Sequence, residues 1–265
     1  MSLGDEGQTR TRLPDSGGDV YGGARRGGRT PSRGLVTVVG VVVLLIAAIA
    51  FANRGGDDSS STSSANDPKT SATSATGKTP VKTKAAGIPT GYAHDQQGAQ
   101  SAAANYAVAL GSADMFNKVR RDAILQTVIS PSRVAHFVSS LDKAYTPQFN
   151  KNVGLTEDGT APAGSTFVSR TSPIGTKVTA ATDSHATVEV WCSGLLGVAG
   201  ENSTNPVTNS WFTTTMQLEW TGGDWKIVTQ TQKEGPAPVP GDEKASGADD
   251  MAKAVEEYGG FTYAR

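Results

Sequence analysis

Few side chains in this 265-residue chain could do covalent or acid–base chemistry: one cysteine, Cys192, and three histidines, His94, His136 and His185. A single cysteine excludes an intramolecular disulfide and any zinc site built from several thiolates. Its simplest role is a buried, inert thiol packed as a small hydrophobe. The histidines fall in the lead-in to a helix, on a helix and in a turn, at spacings that support no metal site. None of G-x-x-x-x-G-K-[ST], H-E-x-x-H, G-x-S-x-G or C-x-x-C occurs. No catalytic, cofactor-binding or metal-ligating residue is assigned, and no cofactor is expected.

Contact chemistry is easier to find. The stretch KVRRD, Lys118 to Asp122, places Lys118, Arg120 and Arg121 as a small basic patch on a helix, although a solvated helix face would look the same. The four tryptophans, Trp191, Trp211, Trp220 and Trp225, all fall on predicted strands, and aromatic residues are enriched at protein interfaces. Trp220 and Trp225 flank a turn and belong to the core or its rim. Trp211 alternates with Thr213 and Thr215 rather than with large apolar residues, so it is the first candidate for an exposed contact, with Trp191 beside it. A formal net charge of -1 provides no broad basic surface, so direct nucleic-acid binding is not expected.

These residues must be positioned by the segments around them, and the most distinctive is GLVTVVGVVVLLIAAIAFANRGG, Gly34 to Gly56. From Leu35 to Ala52 it has eighteen residues without a charge. At ~1.5 Å per residue that is about 27 Å, close to the ~30 Å hydrocarbon core of a bilayer. Residues 34–53 are therefore expected to form one transmembrane helix. Arg25, Arg26, Arg29 and Arg33 precede it without an acidic residue among them, whereas Arg54 is followed by Asp57 and Asp58. Lys and Arg near a span stay in the cytoplasm, which puts the N-terminus inside and the C-terminal bulk outside. Ala50-Phe51-Ala52 matches the small-x-small pattern of a cleavage site, so a cleaved signal is the alternative. The polar lead of over thirty residues and the long apolar run favour an anchor.

Residues 1–33 have almost no large apolar side chains and read as a disordered cytoplasmic tail. Residues 54–90, rich in Ser, Thr, Gly, Pro and Lys, read as a flexible tether with an average reach of roughly 30 to 35 Å. The next unit, 91–235, begins with helical periodicity. Asp95 can cap a helix through QQGAQSAAANYAVAL that Gly111 stops. Met115, Phe116, Val119, Ile124, Leu125, Val128 and Ile129 recur at helical spacing as a second helix. Ser130 and Pro131 open a third, with Val134, Phe137, Val138, Leu141 and Tyr145 on one face. After Pro147 the period moves towards two, giving strands at Thr166 to Arg170, Gly175 to Ala181, Ala186 to Val198, Asn209 to Trp220 and Trp225 to Thr231. Turn signals at Asp183-Ser184-His185 and Gly222-Gly223-Asp224 make neighbouring strands antiparallel. Phe212, Thr214, Met216, Leu218 and Trp220 share one face, and so do Trp225, Ile227 and Thr229. Gly194 and Gly197 suggest a bulge or sharp curvature in the middle strand. Residues 236–265 follow as a Pro-rich segment and a final helix from Gly247 to Tyr258. The fold class is α+β, three helices packed on a curved antiparallel sheet.

That order, with the hairpin LEWTGGDWKIVTQ (Leu218 to Gln230), resembles the nuclear-transport-factor-like cone fold, in which a bent sheet wraps around helices. Enzymes of that fold use an Asp, His or Tyr in the cavity as general acid or base. The resemblance makes Asp114, His136 and Tyr106 the positions to inspect, although a satisfied polar residue on a helix surface is the ordinary reading for each and no catalytic role is assigned. Joined to the tail, span and tether, GIPTGYAHDQQGAQSAAANYAVAL and the hairpin resemble membrane proteins of actinobacterial conjugative elements, similar to the bitopic scaffold subunits of type IV secretion systems. The resemblance implies a non-catalytic cell-membrane protein whose extracytoplasmic domain contacts other subunits of a transfer complex and forms oligomers. A membrane-tethered module holding a hydrophobic ligand in the cone is the alternative, and a cone-fold hydrolase, isomerase or cyclase comes third.

Overall fold

The computed structural model describes residues 81, 83–238 and 247–258. The tail at 1–33, the span at 34–53 with its flanking arginines, most of the tether and the rest of the C-terminal segment lie outside the described residues. Among the described residues no helix is long and apolar enough to cross a membrane. The tether, expected to run unstructured to residue 90, ends sooner. Thr83–Ala85 (β1) and Ile88–Thr90 (β2) pair antiparallel, turning through Ala86 and Gly87, both at positive φ.

The first helix, α1, is Gln96–Leu110. It forms where its signals place it: the Asp95 carboxylate accepts from the Gly98 N–H at 2.7 Å, and the Gly111 N–H closes the last turn on Ala107. Ala99, Ala102, Ala103 and Tyr106 on its inner face are fully buried. Small side chains let a helix approach its neighbours closely.

The expected second helix is broken in two. Ala113–Phe116 makes a short 3-10 turn, and α2 begins afresh at Lys118–Val128. The Asn117 side chain accepts from the Arg120 N–H at 3.1 Å, an N-cap that ends one element and starts the next. The third helix also starts later than its Ser-Pro signal indicates, as α3, Val134–Ala144. Ser130 does not cap it, because its hydroxyl donates to Glu219 and meets Ser132, while its N–H donates to the Ile227 carbonyl at 2.8 Å beside the Ile129–Ile227 bridge. Phe137 and Leu141 face the core as expected, with Val134, Val138 and Tyr145 packed around them. A further short helix, α4 (Pro147–Asn152), has Thr146 as its cap and proline in its first turn.

Four strands follow in sequence order: β3 (Thr166–Ala181), β4 (His185–Ala199), β5 (Thr208–Thr221) and β6 (Asp224–Glu234). They form one antiparallel meander. The two strands expected in 166–181 are a single strand. Its register against β4 slips at Ile174, between the pairs Pro173↔Cys192 and Gly175↔Trp191, and again at Thr179. β4 pairs with β5 without a slip from His185↔Glu219 to Leu196↔Thr208, so no bulge falls at Gly194, and the irregularity lies at Gly197, where that pairing ends at positive φ. Gly194 instead makes room for the Phe212 ring, which would lie 2.8 Å from a β-carbon there. A third slip falls in β6, where Leu218 pairs with Ile227 but Gln217 with Thr229, leaving Val228 without a partner. Bulges bend and twist a strand locally.

The core lies between α1, α2, α3 and the concave face of the sheet, where Leu125, Ile129, Val188, Val190, Met216, Leu218 and Ile227 pack together. Each such side chain contributes about 1.5–3 kcal/mol relative to exposure. The last helix, α5 (Ala248–Glu257), covers the opposite, convex face.

Candidate functional site

The concave face has a second region beyond the core. At the end of the sheet nearest the C-terminus of α1, a cavity of about 110 Å³ opens between helices and strands. Leu110, Phe116, Leu195, Leu196 and Phe212 form apolar walls, and Tyr145 adds an aromatic edge. The floor is polar, with Ser210 and Thr214 from β5 and Gln230 and Gln232 from β6.

Ionisable groups are scarce there. Tyr145 and Arg170 line the cavity, but no carboxylate, imidazole or thiol does. Burial pushes the Tyr145 hydroxyl up to about 12, despite the opposing charge of Arg121. A phenol held that high is poorly matched to proton transfer near neutral pH.

The three positions marked for acid–base chemistry do not meet in the cavity. Tyr106 is fully buried and its hydroxyl donates to the Trp225 carbonyl. Burial, and then the charge of Asp224, raises its pKa. Asp114 pairs with Arg120 at 2.6 Å on the surface, and His136 is exposed on α3. His94 stacks on Trp220, 4.1 Å between ring centroids. Cys192 is the inert thiol expected of it, fully buried and pushed up to about 12 by burial. Among the described residues no group of three His, Cys, Asp or Glu side chains could hold a metal ion.

The expected basic patch splits by burial. Lys118 and Arg120 are exposed, Lys118 reaching Asp142 at 2.7 Å and Asp122 at 3.1 Å. Arg121 is 3 % exposed and belongs to the interior. Its guanidinium donates to Asp142 at 2.8 Å and to the Met115 carbonyl at 3.0 Å, and lies 4.5 Å from the centroid of Tyr145. The bonds from Lys118 and Arg121 hold the Asp142 carboxyl below its ordinary value. Arg121 therefore braces α2 against α3 and supports the Tyr145 wall of the cavity, and it cannot meet a partner.

Trp191 needs the same correction. It is 5 % exposed, and its indole N–H donates to the Pro236 carbonyl at 2.9 Å. Ala254 and Tyr258 of the C-terminal helix region pack on it. Trp211 lies against it, 5.4 Å between centroids, and is half-buried rather than freely exposed.

Gln230 and Gln232 escape the sequence pattern, because alternation carried straight through the last strand puts them on the other face. The slip at Val228 reverses it. Trp225 and Ile227 face the core, and beyond the bulge the even positions 230 and 232 turn to the concave side. Thr229, expected beside Ile227, hydrogen-bonds to exposed Gln217 at 2.8 Å. Nothing local in the sequence marks the bulge.

Helices packed on the concave face of an antiparallel meander, with an open cavity at one end, define a small α+β domain. The chain belongs to the family described as a domain of unknown function (DUF8175), whose model matches residues 64–246. A comparison with curated proteins returned no match. Among solved structures, the intermembrane space region of the chloroplast protein ARC6 is similar at 16% identity, over 53% of this chain and 98% of that one, with a TM-score of 0.32.

Proposed function

We propose that this is a single-pass membrane protein, cytoplasmic at its N-terminus, whose outer domain is a cone-like scaffold module in a conjugative transfer or type IV secretion-like apparatus. The domain acts through protein contacts rather than catalysis. The observation that carries this is the combination of a membrane-length apolar segment at 34–53 with a domain whose cavity is lined by amides, hydroxyls, apolar side chains and Arg170, and by no carboxylate, imidazole or thiol. The charged groups of α2 and α3 support the same view. Arg121, Asp142, Lys118 and Asp122 are engaged with one another in bracing the helices. The resemblance of the Gly87 to Leu110 region and the terminal hairpin to conjugative-element membrane proteins supplies the assignment to a transfer apparatus.

The test is deletion of the gene from its mobile element with complementation in trans. Transfer should fall by orders of magnitude and return with the wild-type gene, whereas undiminished transfer rejects the proposal. Protease added to intact protoplasts should remove the C-terminal domain and spare the N-terminal tail. Protection of the domain would reverse the orientation.

A further inference from the structure

Gln230 is a largely buried polar side chain whose amide faces the cavity rather than another side chain. It is 8 % exposed and lines the cavity, and its side-chain amide makes no hydrogen bond to any described residue. The amide opens onto the cavity, so whatever fills that space, water or a bound group, is what it meets. Thr214, 2 % exposed, lies on the same floor, with Ser210 and Gln232 beside it. The walls facing these groups are apolar: Leu110, Phe116, Leu196 and Phe212. A water's share of liquid volume is about 30 Å³, so the cavity of about 110 Å³ holds a group equivalent to about four waters, the size of a small amino-acid side chain, and its open mouth lets a longer molecule extend beyond it.

We propose that this cavity is a binding site for an uncharged, amide-bearing group of that size, with its apolar part between Phe116 and Phe212 and its amide paired to Gln230. A primary amide offers both a donor and an acceptor, and a second amide answers both at once. A carboxylate can only accept, and the one cation in the lining, Arg170, is exposed. Burying that charge against a neutral amide floor is unfavourable. A purely apolar body would fill the walls and leave Gln230 without a partner. The site thus differs from a simple hydrophobic ligand pocket, and it does not depend on the secretion-apparatus proposal. A free small amide and one residue of a polypeptide present the same chemistry.

The experiment is saturation-transfer NMR on the full chain in lipid nanodiscs, with empty nanodiscs as the reference. The probes are N-acetylphenylalaninamide, N-acetylphenylalanine as the carboxylate, and 4-phenylbutan-2-one, which accepts but does not donate. The amide should bind at least about fivefold tighter than either of the others, the range that one or two well-made hydrogen bonds provide. In Gln230→Leu that preference should shrink to within about twofold. The wild-type ranking is itself decisive, so the test survives if the variant folds poorly. A blocked Gly-Gly-Phe-Gly-Gly peptide binding about tenfold tighter than the single residue assigns the site to a polypeptide segment. Equal or weaker peptide binding assigns it to a free molecule. No transfer above empty nanodiscs, no preference for the amide, or the same preference in Gln230→Leu overturns the proposal and leaves water as the occupant.

Discussion

The two faces of the four-stranded sheet are made by the same strands and meet opposite fates. On the concave face, Val188, Val190 and Cys192 of β4 and Met216 and Leu218 of β5 form a closed core under three helices, which gives way at one end to the polar floor around Gln230. On the convex face the chief apolar feature is the cluster of Trp191, Trp211 and Tyr258 beneath α5, tied at its edges by Lys177–Glu257 at 2.9 Å and by Tyr258 to Glu189 at 2.9 Å. Trp191 and Cys192 are adjacent in sequence and lie on opposite faces. An aromatic pair on an outer sheet face needs a cover, and the chain provides one from its own C-terminus. The concave floor is the reverse case, a polar surface inside the domain that the described residues leave open.

The largest expected effect comes from the closed part of the concave face. Trp225 is 2 % exposed and donates to the Ala93 carbonyl at 2.9 Å. Trp225→Ala should lower stability by about 3–5 kcal/mol, seen as a lower urea midpoint for the whole domain. Next is Gly175→Ala on the convex side, where a β-carbon would lie 2.2 Å from the Tyr258 carbonyl oxygen. Its cost of about 1–3 kcal/mol should be local. Hydrogen exchange at residues 248–258 should speed up while the centre of the sheet stays protected. Equal acceleration everywhere would mean that the two faces are one cooperative unit.

Gln230→Leu sharpens the contrast in the other direction. Because water can meet the amide in the empty cavity, the substitution should leave stability within about 1 kcal/mol with an unchanged denaturant slope, while the amide preference of the cavity is lost. The smallest effect is confined to alkaline pH. Burial raises the Cys192 thiol from 9.0 to about 12, so the folded state keeps a proton that the unfolded state loses. Its contribution is fully present below pH 9 and declines as pH rises towards 12. Between pH 7 and 10 the wild type should lose about 1 kcal/mol more than Cys192→Ala, read from urea midpoints. The comparison with that variant removes the parallel contribution of Tyr106, whose pKa is also raised.

Much of the architecture was legible from local signals. Asp95 and Gly111 bracket α1 because a side-chain cap and a closing backbone N–H act within one turn of the chain. The turns before His185 and Asp224 fixed an antiparallel meander for the same reason. Less legible were features set by remote groups. Ser130 has the form of a helix cap, but its hydroxyl is taken by Glu219 and Ser132 and its N–H by the Ile227 carbonyl. Arg121 sits in a basic run, and only the approach of α3 brings Asp142 and Tyr145 to it.

The sequence by itself determined the α+β order, the caps of α1, the inert character of Cys192 and a segment at 34–53 with the length and composition of a membrane span. Periodicity and capping are short-range properties, so they survive in a one-dimensional record. The tertiary structure decided which face each late residue of β6 meets, which tryptophan is covered and where the cavity lies. One unpaired residue, Val228, reverses the alternation after it. Its position depends on how β6 fits β5 across the sheet rather than on its neighbours in the chain.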